Sequence, residues 1–202
     1  AEKEWPNNLK MTMPGRFAIQ SFLAKAVKAG CQFAVLEVSS QGVLQYRHRF
    51  INFDSAVFTK LAPEHIEAHG SFENYKKYKL KFFEYVQNNH IINKDDKYFQ
   101  EFFKIPAKNK QTYSAGDYEN LKLKLWGDFN VANAAAAIKT AEIYGIKPDL
   151  AVKILENIES LPGRMELIER DGKFKVIVDY AHTPDSMEAV YGSLKPKLEE
   201  NS

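Results

Sequence analysis

AVFTKLAPEHIEAHGSFENYKKYKLKFFEYV, residues 56–86, sets an apolar run ahead of an amphipathic one and decides the fold class. Ala56 to Leu61 is a short apolar run of the kind that builds a buried parallel strand. After a polar loop the spacing changes. At about 100° per residue, Phe72, Tyr75, Tyr78, Phe82, Phe83 and Val86 gather on one helical face, with Lys77 and Lys81 opposite and Lys76 at the border. Lys79 projects within about 20° of Phe72, in the middle of the stripe, where a charged ammonium is costly to keep. The residues alone leave two readings open: the lysine stem lies along the stripe and its head reaches water, or the amine has a partner or a changed charge.

Outward from this stretch the alternation of strand and helix continues. Arg16 to Ala29 has helical spacing and stops at Gly30, and Phe33 to Val38 (FAVLEV) reads as a second buried strand. Downstream, Ile91 and Ile92 mark a strand, Asp95 to Phe103 a short helix opening on an acidic pair, and Leu121 to Trp126 (LKLKLW) an alternating strand. Asn130 to Tyr144 is an alanine-rich helix ending at Gly145, with Asn130 as its N-cap, and Pro148 opens a further helix to about Ile158. This order predicts an α/β fold, a sheet covered by helices. The texture breaks at Ser160-Leu-Pro-Gly163, after which Met165 to Arg170 and Phe174 to Asp179 read as a hairpin about Asp171-Gly172, and Pro184 to Leu198 as a helix. So residues 1–160 are expected to form one domain and residues 161–202, too few for a domain of their own, the start of a second.

Composition excludes some partners. The 202 residues are 45% hydrophobic with a net charge of +2, and the lysine-rich stretches are interleaved with acids, so neither nucleic acid nor an anionic membrane is expected as a partner. The single Cys31 forms no internal disulfide and no stretch approaches a membrane span, which suits a reducing cytoplasm. AEKEWPNNLK has no initiator Met and no signal-peptide pattern, so the chain is expected to be a piece of a longer protein.

Chemistry-bearing residues fall where strands end. Glu37 closes FAVLEV, and His65 and Glu67 follow AVFTKL in the loop leading to the helix of Lys79; open α/β sheets place their sites at the carboxyl ends of strands. Glu and His are plausible Mg²⁺ neighbours, or simply satisfied polar residues.

EVSSQGVLQYR (37–47), FDSAVFTKLAPEHIEAHGSFENYKKYK (53–79), GDFNVANAAAAI (127–138), LPGRMELI (161–168) and VIVDYAHTPDSM (176–187) resemble the Mur ligase family, and within it the UDP-N-acetylmuramoyl-tripeptide synthetases, over nearly the whole chain. DYAHTPDS is the most specific of these runs. The resemblance implies a central ATP-binding domain with a P-loop-type sheet, followed by the opening hairpin and helix of a second α/β domain. It implies an ATP-dependent amide ligase of peptidoglycan precursor synthesis that adds an amino acid to UDP-N-acetylmuramoyl-L-alanyl-D-glutamate through an acyl phosphate, with Mg²⁺ neutralising the charge that accumulates. The complete protein is expected to be monomeric.

By motif match, Glu37, His65 and Lys79 are the implied catalytic and magnesium-holding residues, and Lys79 falls on the family's carbamylated lysine. Burial lowers a lysine's pKa; the neutral amine can add CO₂, and the carbamate is an anion able to hold a metal. Thr12, Ser39, Ser40, Gln45 and Arg47 match the segments that contact the muramoyl-peptide substrate. Asn133 matches the adenine-side Asn, while Arg164, Asp179 and His182 match the hinge and second-domain residues that face ATP, Asp179 toward the ribose and Arg164 toward the phosphates.

The chain also departs from the family pattern. It contains no GxxxxGK[ST] loop to cradle phosphate, Lys60 stands where Asn is usual and Gln41 where His is usual, and the stretch between Phe103 and Leu121 is shorter. The expectation is therefore that these 202 residues alone are inactive. The other reading is a free-standing remnant that binds metal or a muramoyl nucleotide without turnover, or an interaction module. The added amino acid, lysine, diaminopimelate or another, is left open.

Overall fold

In a computed structural model, residues 11–63, 66–168 and 174–199 are described, with side chains up to residue 194. Three parallel strands form the main sheet: β1 (Ser55–Phe58), β2 (Asn89–Asn93) and β3 (Asn109–Tyr113), in that order. Val57 is paired with Ile91 and Ile91 with Gln111. β2 is buried along its whole length, as a central parallel strand must be.

Helices supply the covering layers: α1 (Arg16–Lys28), α2 (Ser40–Leu44), α3 (Ile66–His69), α4 (Phe72–Tyr85), α5 (Phe99–Lys104), α6 (Phe129–Ile143) and α7 (Pro148–Leu155). On one face Phe58, Tyr75, Phe83, Ile92 and Phe102 make the main core, with Phe58 and Phe102 stacked at 3.8 Å. On the other, Ile91 and Tyr113 pack on Ala135 and Ala136 of α6. The alanines let that helix lie close to the sheet, and Tyr113 donates its hydroxyl to the Phe58 carbonyl two strands away at 3.0 Å. Burial, helped by Asp95 and Asp96 nearby, pushes the Tyr113 phenol well above its ordinary range, so it stays a donor.

α4 begins and ends for identifiable reasons. Ser71 caps it, accepting from the Asn74 N–H at 3.2 Å. At the other end the His90 ring on β2 donates from Nε2 to the carbonyls of Val86 (2.6 Å) and Phe83 (3.0 Å), tying the helix to the sheet. The face of α4 follows the expected stripe, with Tyr75 and Phe83 buried and Lys77 and Lys81 exposed. Lys76 at the border lies between Glu73 and Glu101, both at 3.1 Å.

A hairpin of β4 (Glu166–Ile168) and β5 (Val176–Val178), antiparallel, leads to α8 (Pro184–Glu199). The expected Asp171-Gly172 turn lies outside the described residues.

Several expected elements differ. Phe33–Val38 has no regular secondary structure and joins no ladder among the described residues, and Val35 is 97% exposed. Leu121–Trp126 is irregular rather than a strand: the Lys122 N–H donates to Glu156 at 3.0 Å and Lys124 pairs with Glu159 at 3.2 Å, so the end of α7 satisfies what a ladder would have. The acidic pair precedes α5 by a turn instead of opening it, because its carboxylates serve other loops. Asp96 accepts from the Leu61 N–H at 3.0 Å and Asp95 from the Ser114 hydroxyl at 2.6 Å. Asn130 is not an N-cap; it sits inside the first turn of α6 and donates to the Trp126 carbonyl at 2.7 Å.

Candidate functional site

A cavity of about 950 Å³ runs along β1, from Asp54 before the strand to Thr59 and Lys60 after its carboxyl end. Glu37, Ser40, Thr59, Lys60 and Lys79 all line it, joining the end of the 33–38 segment, the start of α2, the residues after β1 and the middle of α4. Sequence positions 37 and 79 thus reach one space. Glu37 is exposed to it, whereas Lys79 is half-buried with Nζ 5.2 Å above the Tyr75 ring. An amine there is held over an aromatic face and is turned toward the cavity that Glu37 also enters. Glu64 and His65 lie outside the described residues.

A buried pair joins the two walls: Ser40 Oγ and His69 Nε2 are 3.0 Å apart, and the His69 ring packs on Tyr75 and Tyr78 of α4. His69 went unremarked in the sequence, because a histidine before glycine in a polar loop reads as a turn residue; only its spacing to Tyr75 and Tyr78 carried a signal.

The other substrate-side candidates are arranged around α2. Ser39 is its N-cap, accepting from the Gly42 N–H at 3.1 Å, and exposed Gln45 is its C-cap. Gly42 packs against Met13, whose side chain would have to shift to admit a Cβ there. Arg47 donates to the Met13 carbonyl and reaches Met11 Sδ at 3.5 Å, so its guanidinium holds the segment that carries exposed Thr12. Of these candidates Ser39, Ser40 and Arg47 all have structural bonds of their own, and Ser40 also lines the cavity.

The candidates after β3 form two separate groups. Asn133 is exposed on α6 and donates to Asn130 Oδ1 at 3.1 Å. Asp179 accepts from the Met165 N–H at 2.8 Å and the Ala181 N–H at 2.7 Å, fastening the turn before β4 to the end of β5. Arg164 lies 5.2 Å over the Tyr180 ring, and His182 packs against that ring and bonds the Tyr180 carbonyl at 2.9 Å. An ion pair brings this group toward the cavity: Lys60 at the mouth meets Asp185, in the first turn of α8, at 2.6 Å.

The Mur ligase middle domain pattern matches residues 2–119, more than half of the chain, and the Mur ligase glutamate ligase domain pattern matches residues 163–201. The chain belongs to the Mur ligase family. It is 36% identical to the UDP-N-acetylmuramoyl-L-alanyl-D-glutamate--2,6-diaminopimelate ligase of Synechocystis, with 95% of this chain and 45% of that protein covered. It is 28% identical to the UDP-N-acetylmuramyl-tripeptide synthetase of Roseiflexus, covering 98% and 47%. A solved structure of a UDP-N-acetylmuramoyl-L-alanyl-D-glutamate--2,6-diaminopimelate ligase superposes with a TM-score of 0.72 at 30% identity, over 90% of this chain and 44% of that one. The fold is that of the Mur ligase middle domain, a parallel sheet flanked by helices. This Mur ligase chain spans a little under half the length of these relatives.

Among the described residues no three His, Cys, Asp or Glu side chains gather as a metal site, and no helix is long and apolar enough to cross a membrane. The Glu37 carboxylate lining the cavity is an oxygen donor of the kind hard cations take, and an unmodified Lys79 amine is not.

Proposed function

We propose that residues 1–160 are the central domain, and residues 161–202 the opening of the next, of an ATP-dependent amide ligase of peptidoglycan precursor synthesis. It acts on UDP-N-acetylmuramoyl-L-alanyl-D-glutamate and an incoming amino acid. The observation that carries this reading is the convergence of Glu37, Ser40 and Lys79 on one cavity that runs past the carboxyl end of β1.

In this reading Glu37 and a carbamylated Lys79, with His65, would hold Mg²⁺, which when bound would supply neutralisation of developing negative charge. Carbamylation reverses the sign of a side chain that as an ammonium would repel the ion. Ser40, fixed by His69, offers its hydroxyl at the wall; Thr12, Ser39, Gln45 and Arg47 border the muramoyl-peptide. Asn133 lies on the adenine side, and Arg164, Asp179 and His182 lie on the far side of ATP. The Lys60–Asp185 pair is consistent with this, because it joins a residue lining the cavity to the first turn of α8, which follows His182.

The test is a chimera in which residues 1–202 replace the corresponding span of the Synechocystis ligase. Phosphate release dependent on UDP-N-acetylmuramoyl-L-alanyl-D-glutamate and diaminopimelate is expected, and Glu37→Ala should abolish it. A folded chimera with no turnover for any diamino acid would overturn the assignment. The 202 residues alone should release no phosphate from ATP, since they contain no phosphate-cradling GxxxxGK[ST] loop.

A further inference from the structure

Lys60 and Asp185 each stand on backbone that is held in place, while the joint between the parts that carry them is not. On one side of Lys60 the Thr59 carbonyl accepts from Asn93 Nδ2 at 2.8 Å; on the other the Leu61 N–H donates to Asp96 at 3.0 Å, and the Leu61 side chain is buried. Asp185 lies in the first turn of α8, where the Thr183 N–H donates to Ser186 Oγ at 3.0 Å and the Met187 N–H to the Thr183 carbonyl at 2.9 Å. Each residue therefore moves only with the layer it belongs to.

The joint is residues 158–160, which follow α7 without regular structure, with Glu159 and Ser160 exposed. Beyond it the turn is fastened to the hairpin. Leu161 and Arg164 form an isolated bridge, Asp179 accepts from the Met165 N–H at 2.8 Å, and Met165 is buried in a left-handed conformation, φ 48°, that only its surroundings hold. A second cavity, of about 430 Å³, lies between Leu125 and Trp126 on one side and Met165 and Leu167 on the other. With these side chains held apart, packing there does not by itself set the angle of the hairpin to the sheet. Lys175 reaches across to lie 5.8 Å from the Trp126 ring, close to the outer limit of a cation–π contact. At the cavity mouth Lys60 meets Asp185 at 2.6 Å, a full ion pair.

We propose that Lys60 is a positioning residue of the site: through Asp185 its ammonium fixes the angle at which the hairpin and α8 lean over the cavity mouth, and so the placement of Arg164, Asp179 and His182 relative to Glu37 and Lys79. Both partners are largely exposed, 63% and 48%, and a pair of that kind adds little to folding stability. It is enough to set an angle. Between two orientations of similar energy it shifts the balance by up to about fivefold, and being exposed it weakens with salt. Reversing both charges preserves the attraction, whereas reversing one turns it into repulsion. The consequence for ATP rests on Arg164, Asp179 and His182 facing the nucleotide, as proposed; the clasp itself does not.

Spin labels at Lys77→Cys on α4 and Glu188→Cys on α8, both exposed, report the angle as a distance in the 202-residue chain carrying Cys31→Ser. One principal distance is expected at low salt. Lys60→Ala, or a rise from about 0.05 to about 0.5 M NaCl, should lower its population relative to longer distances about two- to fivefold. Lys60→Arg should keep it, as should the double reversal of Lys60→Asp with Asp185→Lys, while Lys60→Asp alone should lower it further than Lys60→Ala. In the Synechocystis chimera Lys60→Ala should lower kcat/KM for ATP by about the same two- to fivefold, leave KM for the muramoyl-dipeptide unchanged, and differ from Lys60→Arg, which should retain both. A distance distribution that ignores Lys60→Ala and salt, or that the double reversal fails to restore, would overturn the proposal, as would an active chimera indifferent to Lys60→Ala. An inactive chimera would count against the ligase reading alone, and the distances would still decide the clasp.

Discussion

Ser40 and His69 meet across 29 residues of sequence, 3.0 Å apart and buried, and their bond joins the first residue of α2 to the last residue of α3. The bond ties α2, which follows Glu37, to α3, which precedes the helix of Lys79. A double-mutant cycle with Ser40→Ala and His69→Ala measures it. Each single change should cost about 1–3 kcal/mol, the range for leaving a buried polar partner unsatisfied. The coupling in urea denaturation should be about 0.5–1.5 kcal/mol. Additive losses would mean that the two residues do not act as a pair.

Histidine also makes stability depend on pH. His48 and His90 are both buried, and burial holds each imidazole below its ordinary pKa, helped at His48 by Arg49 and at His90 by Lys110. In the unfolded chain both titrate near about 6.5. Below that pH the unfolded state binds more protons than the folded one, so stability is fully present above about pH 6.5 and declines as pH falls. His90→Asn removes one titrating group while keeping an N–H donor for the end of α4. It should flatten the decline between about pH 6.5 and 5, read as the urea midpoint at each pH. An unchanged slope in this variant would show that His90 takes no part.

The helix of Lys79 was legible because its apolar residues keep helical spacing from Phe72 to Val86. β2 was legible from two isoleucines. By contrast, β3 was not: Asn109 to Thr112 is polar, as an edge strand can afford to be, and no composition rule separates that from a loop. Phe33–Val38 has the composition of a buried strand, yet a ladder is a property of two segments, and sequence reports only one of them. LKLKLW alternates as a strand should, but the carboxylates of Glu156 and Glu159 outcompete a partner strand for its N–H and its lysine. At the candidate site, the residues at strand ends were visible as types in a pattern. The Ser40–His69 joint and the seat of Lys79 over Tyr75 were not, since both depend on the packing of α3 and α4.

Tyr113 offers a separate check on the sheet. Its hydroxyl crosses β2 to reach the Phe58 carbonyl in a fully buried setting, where water cannot replace it. Tyr113→Phe should therefore destabilise the chain by about 1–2 kcal/mol, with the fold retained. Thermal unfolding followed by circular dichroism checks this, and an unchanged midpoint would refute the pairing.

Lys79 decides between a cation and a carbamate, and the chimeric ligase is where activity can be read. Two physical states fit its place: an ammonium resting on the Tyr75 ring, or an anion beside Glu37. Arginine separates them. It keeps the positive charge and stacks on aromatic rings at least as well as lysine, but it is not deprotonated in the working range and cannot take up CO₂. If the ammonium is what matters, Lys79→Arg should retain most of the activity; if the carbamate is, Lys79→Arg and Lys79→Ala should both lose about a hundredfold or more. The alanine variant should stay folded, because alanine suits a half-buried position on a helix. Short carboxylates such as acetate or propionate should restore part of its activity by placing oxygens where the carbamate stood, and they should do nothing for the arginine variant, whose side chain fills the space. Isotope-labelled bicarbonate gives a readout independent of turnover: the unaltered protein should show a carbamate resonance in the carbon spectrum that both variants lack. A Lys79→Arg enzyme of near-normal activity, or no such resonance in an active enzyme, would return Lys79 to the role of a cation on an aromatic face.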